Sequence, residues 1–348
     1  MTLARKNIEK LKPYTPGYQP EDDNALKLNT NENPYTQSKH VLESIENAAR
    51  SSLRLYPDST WRQLRAKASD IYKIGEDYIF FGNGSDEILS LIFRAFIDKN
   101  DSVTAPYPTY SYYEVMANIQ EARFTYIDTD ASFNIPLDKL KACGAKMVCF
   151  ANPNTPTGLF IKKSEIENFL CGFPGLLVLD EAYIDFAPES AYQLVTEYNN
   201  CIVVRTLSKS FSLCGIRVGY CFADPALINV LLKVKESYNV NTISQIAAKK
   251  AFEDIEYMKE NSKKIIKVRA KNTEALIKLG FYVVPSAGNF IFIKHEKVAA
   301  KEIYEYLFKK NVFVRYFDLR RVDEYLRITI GTEEQMQRFI SEISKNIF

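Results

Sequence analysis

Between residues 78 and 223, short apolar runs and helical stretches take turns along the chain. This alternation constrains the fold more than any other feature. Apolar runs at 78–81, 101–105, 123–127, 146–151, 175–180, 201–206 and 217–223 have the length and composition of strands. Helical spacing fills most of the gaps, at 87–97, 109–119, 136–142, 163–171 and 189–197. A strand buried on both faces reads as one continuous apolar run, whereas a half-solvated strand alternates. The expected class is therefore α/β, with a mostly parallel sheet covered by helices on both faces. Two further helical patterns precede the first run, at 39–54 and 60–73, and Ser59 or Thr60 is placed to cap the second.

The order changes after residue 240. Residues 243–279 read as helix with a break near Asp254. Strands at 281–284, 288–293, 312–315 and 325–330 then mix with helices at 298–309 and 332–345, the pattern of a smaller α+β domain. A chain of 348 residues exceeds what one core usually spans. The first 30 residues, with Pro13, Pro16, Gly17 and Pro20, look irregular. The expected division is 1–30 as a segment joining the small domain, 31–240 as the large domain and 241–348 as the small one.

Composition excludes several functions. Lys and Arg total 45 against 43 Asp and Glu, and no basic stripe points to nucleic acid. No apolar run reaches the ~18 residues of a membrane span, and the N-terminus lacks the apolar core of a signal peptide. Six scattered cysteines without a C-x-x-C pair suit reduced thiols in a cytoplasmic protein. His40 and His295 are the only histidines, and neither has metal-ligand spacing. No metal site is expected.

In α/β sheets, ligands gather at the carboxyl ends of strands, and four motifs fall there. Gly82-Asn83-Gly84-Ser85-Asp86-Glu87 joins a strand to a helix, where backbone N–H groups can approach an anion. Alone, it is an ordinary turn. Asp180-Glu181-Ala182-Tyr183 puts a carboxylate at a strand end, to cap a helix, act as a base or hold a cationic ring nitrogen. Asn152-Pro153-Asn154-Thr155-Pro156-Thr157-Gly158 is a rigid polar turn. Thr206-Leu207-Ser208-Lys209-Ser210 is the informative one. A lysine closing an apolar strand is a candidate Schiff-base nucleophile, because burial disfavours the charged amine. Thr206, Ser208 and, eight residues after the lysine, Arg217 suit a phosphate nearby. The four motifs describe one ligand, with a phosphate, an aldehyde for Lys209 and a ring nitrogen for Asp180. That ligand is pyridoxal 5'-phosphate (PLP).

The chain resembles fold-type I PLP enzymes of the class I/II aminotransferase group and is most similar to the histidinol-phosphate aminotransferases. The resemblance spans nearly the whole chain. It rests on PYTPG at 13–17, LNTNENP at 28–34, LYPD at 55–58, GNGSDE at 82–87, PYPTYSYY at 106–113, DEAYIDF at 180–186, LSKSFSLCGIRVGY at 207–220, YNVN at 238–241, SAGNFIF at 286–292 and LRITIG at 326–331. It implies that Lys209 carries the cofactor and shuttles a proton, Asp180 pairs with the ring nitrogen, and Tyr183 donates to the phenolic oxygen. Tyr110 would stack on the ring. Thr206, Ser208, Arg217 and the backbone of Gly84, Ser85 and Asp86 would hold the phosphate. Tyr56 would reach the neighbouring subunit's cofactor, implying a homodimer with shared sites. Arg327 would take a substrate carboxylate, and Tyr14 and Arg315 a substrate phosphate, with Asn33 in the loop above.

The chain also departs from the family. Asn-Asn-Pro-Thr-Gly is usual, but here Thr155 stands at the second Asn, so either Asn154 or the Thr155 hydroxyl meets the phenolic oxygen. The Gly17 to Leu28 connection is short, Tyr35 follows Pro34, and Ser212 and Cys214 replace small residues. The expected activity moves an amino group between an amino acid, glutamate by expectation, and a small phosphorylated ketone or aldehyde. The rivals are a PLP-dependent decarboxylase of a phosphorylated amino acid and a PLP-binding regulatory domain. The second lacks any helix-turn-helix segment.

Overall fold

The computed structural model describes residues 3–22, 24–50 and 53–347. Its first strand is the two-residue β1 (Leu26–Lys27). Seven strands then build one sheet: β2 (Ile79–Gly82), β3 (Ser102–Tyr107), β4 (Arg123–Asp128), β5 (Met147–Ala151), β6 (Leu176–Asp180), β7 (Cys201–Thr206) and β8 (Gly219–Ala223). Their order is β2-β8-β7-β6-β5-β3-β4. Strand β8 runs antiparallel to both its neighbours, and the other pairs are parallel. β5, β7 and β8 are buried along their whole length, which is why their sequences show no alternation.

Five strands follow: β9 (Phe281–Val284), β10 (Phe290–His295), β11 (Val312–Phe313), β12 (Arg315–Tyr316) and β13 (Leu326–Thr329). Four of them form an antiparallel sheet in the order β12-β13-β10-β9. β11 instead pairs in parallel with β1, with Leu26 opposite Val312. A second apolar cluster collects Leu26 and Leu28 with Ile291, Leu307, Ile328 and Phe339. It is separate from the cluster around the seven-stranded sheet.

Several local expectations need correcting. The helix expected from residue 87 begins at Ser85 and runs to Phe96, so its N-terminus reaches the end of β2. The helix expected at 60–73 spans Arg62–Tyr72, and neither Ser59 nor Thr60 caps it. Asp58 does so instead, accepting from the N–H of Thr60 (3.0 Å) and of Arg62 (3.1 Å). The pattern at 39–54 gives a helix over Lys39–Arg50; residues 51 and 52 lie outside the described residues, and 53–54 form a turn. The stretch at 189–197 forms only a 3-10 turn, Tyr192–Thr196. The strand expected at 312–315 splits at Val314 and serves two sheets.

Candidate active site

Asp180 is the last residue of β6, level with Ala151 on β5 and Val204 on β7. Thr206 ends β7. The segments leaving β3, β5, β6 and β7 therefore emerge along one edge of the sheet. Because β8 runs the other way, its first residue, Gly219, lies on this edge beside Gly82. A pocket opens there.

One end of the pocket is an anion cradle. Ser85 and Asp86 line it from the N-terminal turn of helix Ser85–Phe96, where free N–H groups and the helix dipole favour negative charge. Gly84 has φ +86°, and a Cβ there would sit 2.6 Å from Arg217 Nη2, so only glycine lets the arginine lie against the turn. Arg217 pairs with Asp86 at 3.3 Å. The Thr206 hydroxyl donates to Ser208 Oγ (2.9 Å) and accepts from the Ser208 N–H (3.1 Å).

The other end holds a buried acid. Burial pushes the Asp180 carboxyl up to about 6, against the pull of hydrogen bonds from the Tyr113 hydroxyl and the Ala182 N–H, both 3.0 Å. Lys209 lines the same pocket, its Nζ donating to Thr30 O at 3.2 Å and lying 5.8 Å from the Tyr183 ring centre. The Tyr183 hydroxyl accepts from Asn31 Nδ2 (3.0 Å), and the Tyr110 hydroxyl donates to Asp86 (3.2 Å).

The mouth carries Tyr14, Arg315 and Arg327. The two arginines are direct cross-strand partners on β12 and β13. Like charges placed opposite each other are destabilising, unless something anionic lies between them. Arg327 donates to Thr155 Oγ1 (3.1 Å) and Asn29 O (2.9 Å), while its buried Nε has no hydrogen-bond partner among the described residues. Arg315 donates to Thr15 O (2.8 Å) and Pro16 O (3.1 Å). Tyr14 sets its ring edge-on to Tyr110, with centres 5.5 Å apart.

A lysine, a buried carboxylate and an anion cradle in one pocket narrow the chemistry. A family model described as aminotransferase class I and II matches residues 23–343. The chain belongs to that family. A histidinol-phosphate aminotransferase of Clostridium beijerinckii is 42% identical over 340 residues, covering 97% of this chain and 95% of its own. One from Clostridium acetobutylicum is 39% identical over 346 residues, covering 98% of each. The crystal structure of histidinol-phosphate aminotransferase from Sinorhizobium meliloti in complex with pyridoxal-5'-phosphate superposes with a TM-score of 0.91. It is 24% identical and covers 100% of this chain and 98% of that one.

For an aminotransferase of this family, four expected site residues lie elsewhere than the pocket wall, Gly84 among them, behind Arg217. Asn154 is fully buried; its amide donates to Pro108 O (3.0 Å) and Thr157 Oγ1 (3.1 Å), and its oxygen accepts from Thr109 (3.1 Å). With every polar atom engaged in the loop, it leaves the pocket to Thr155. Asn33 turns its amide to Lys209 O (2.9 Å) and Ser210 O (3.0 Å), so it is tied to the backbone of the lysine loop. Tyr56 is 81% exposed and stacks on Tyr238 with centres 4.4 Å apart.

Two residues escaped the sequence reading. Tyr113 appeared only inside the motif PYPTYSYY, where its one signal was its place three residues after Tyr110. Asp185 accepts from the Ser210 hydroxyl and pairs with buried Arg205, a charged anchor under the lysine loop. Its signal was a second aspartate in DEAYIDF.

Proposed function

We propose that this aminotransferase uses pyridoxal 5'-phosphate on Lys209 to move an amino group between glutamate and the ketone corresponding to histidinol phosphate. The observation that carries this reading is one pocket lined by Lys209, the buried carboxylate of Asp180 and an anion cradle, together with two arginines that are cross-strand partners. The residues fit the cofactor. The cradle depends on Gly84 having no side chain, and the acid at the far end suits a protonated ring nitrogen. When bound, PLP supplies an aldehyde for the amine and an electron-withdrawing ring.

The chain's own residues do the rest. Ser85, Asp86, Thr206, Ser208 and Arg217 would hold the cofactor phosphate. Asp180 would keep the ring nitrogen protonated, and Tyr110 would cover one ring face. Tyr183 and Thr155 line the pocket and would meet the phenolic oxygen of the cofactor; the Thr155 hydroxyl accepts from Arg327, which leaves its proton free to donate. Lys209 Nζ would carry the proton between substrate and cofactor carbons. Arg327 would take the glutamate carboxylate, and Arg315 with Tyr14 the substrate phosphate. Tyr56, exposed beside the exposed Leu53 and Leu55, would serve the site of a second copy in a homodimer. Six unpaired cysteines suit a reducing compartment, and we place the enzyme in the cytoplasm.

Borohydride treatment of the yellow holoenzyme should fix the cofactor on the peptide containing Lys209. Histidinol phosphate alone, and glutamate alone, should each discharge the cofactor colour. An adduct on another lysine would overturn the mechanism. Release of carbon dioxide from a phospho-amino acid, with no amino transfer, would overturn the activity.

A further inference from the structure

We propose that Tyr113 is a positioning residue for this site: its hydroxyl holds the charge and orientation of Asp180 while its ring backs the stacking residue Tyr110. The proposal rests on the PLP reading above. Tyr113 lies on helix Tyr112–Ile119, is completely buried, and does not line the pocket. Its hydroxyl donates to Asp180 Oδ2 at 3.0 Å, the carboxylate's only side-chain hydrogen bond among the described residues. The other donor, the Ala182 N–H, takes Oδ1. The Tyr113 ring meets Tyr110 edge-on, with centres 5.5 Å apart and planes at 86°. One buried side chain thus supports the group facing the ring nitrogen and the group facing the ring plane.

The electrostatics give the hydroxyl a task. Burial favours the neutral form of Asp180, and a neutral carboxyl cannot hold a protonated ring nitrogen. A hydrogen bond to the charged form opposes this, and in a dry interior such a bond is worth more than in water. The groups facing Asp180 are Tyr113 from its helix, Cys149 from β5, Tyr110 and Asp86 above β2 and β3, and Lys209 after β7. Burial raises Tyr110, Tyr113 and Cys149, so they stay neutral near pH 7. The other ionisable neighbours, Asp86 and Lys209, keep their places when Tyr113 is replaced.

Tyr113→Phe removes the hydroxyl and keeps the ring, whereas Tyr113→Leu removes both. The measurement is the rate at which the holoenzyme loses cofactor on dilution, from pH 5.5 to 8.5, with thermal unfolding as the check on folding. Tyr113→Phe should lose cofactor about tenfold faster near pH 6, with the gap narrowing toward pH 8.5. Tyr113→Leu should be faster at every pH, because Tyr110 loses its backing as well. A uniform acceleration in Tyr113→Phe, or none, would overturn the proposal while leaving the wild-type cofactor assignment intact. A wild type that never binds PLP would instead overturn the functional reading itself. If Tyr113→Leu does not fold, Tyr113→Phe alone still decides.

Discussion

At the residue scale, Asp180 works against the fold that holds it. Its carboxyl is pushed from 3.8 up to about 6 by burial. A carboxyl whose folded pKa is raised costs stability, and that cost grows as pH rises from about 4 through about 6. Two pKa units correspond to a cost on the order of 3 kcal/mol. Asp180→Asn should therefore make the cofactor-free protein more stable by roughly 1–3 kcal/mol at pH 8, with a smaller gain at pH 5. Urea unfolding of the two cofactor-free proteins at both pH values checks this, and a loss of stability at pH 8 would contradict it. The same substitution should cost turnover roughly 10²-fold or more; the cofactor should still attach to Lys209 but leave faster on dilution than from the wild type. Lys209→Ala should abolish both turnover and covalent attachment, read from the loss of the yellow colour that survives gel filtration. These two candidates stood out in the sequence because a lysine and an aspartate at the ends of apolar runs are costly placements. Tyr113 and Asp185 did not, because a buried tyrosine and a second aspartate have ordinary structural uses, and only the folded arrangement reveals their partners.

At the element scale, strands β12 and β13 set two arginines face to face. If the mouth divides its labour, Arg315→Ala should weaken use of the phosphorylated substrate by about 1.5–3 kcal/mol and spare the glutamate half-reaction. Arg327→Ala should damage the half-reaction that needs a carboxylate. Each half-reaction can be followed by the cofactor's absorbance with one substrate at a time. Equal damage to both by Arg315→Ala would refute the division. Arg315 also ties down the strap at Thr15 and Pro16, so this variant should expose the 13–17 segment to protease faster. The strands and helices were mostly visible in apolar periodicity, down to the break at Asp254. The direction of β8 was not, since a fully buried strand reads alike either way. The side chain choosing between Asn154 and Thr155 was equally hidden, because successive residues of a tight loop point apart in ways no periodicity encodes.

At the scale of the whole molecule, the exposed group of Leu53, Leu55, Tyr56 and Tyr238 predicts a shared site. Mixing inactive Lys209→Ala with a separately inactive Tyr56 variant should restore activity through mixed dimers. No recovery after demonstrated subunit exchange would confine Tyr56 to its own subunit or to no role. The α/β architecture was readable from alternation, but the position of β8 within the sheet was not, and it has a consequence for how the protein is made. In the sheet β2 is bonded only to β8, so Gly82 waits for Gly219 to leave the ribosome, on the order of ten seconds at ordinary synthesis rates. Until then the turn at Gly84 has neither its strand partner nor Arg217 against it. A nascent chain stalled before residue 219 should carry its lysine and its acid yet retain no phosphate-bearing cofactor, so loading with PLP belongs to the last stages of the enzyme's birth.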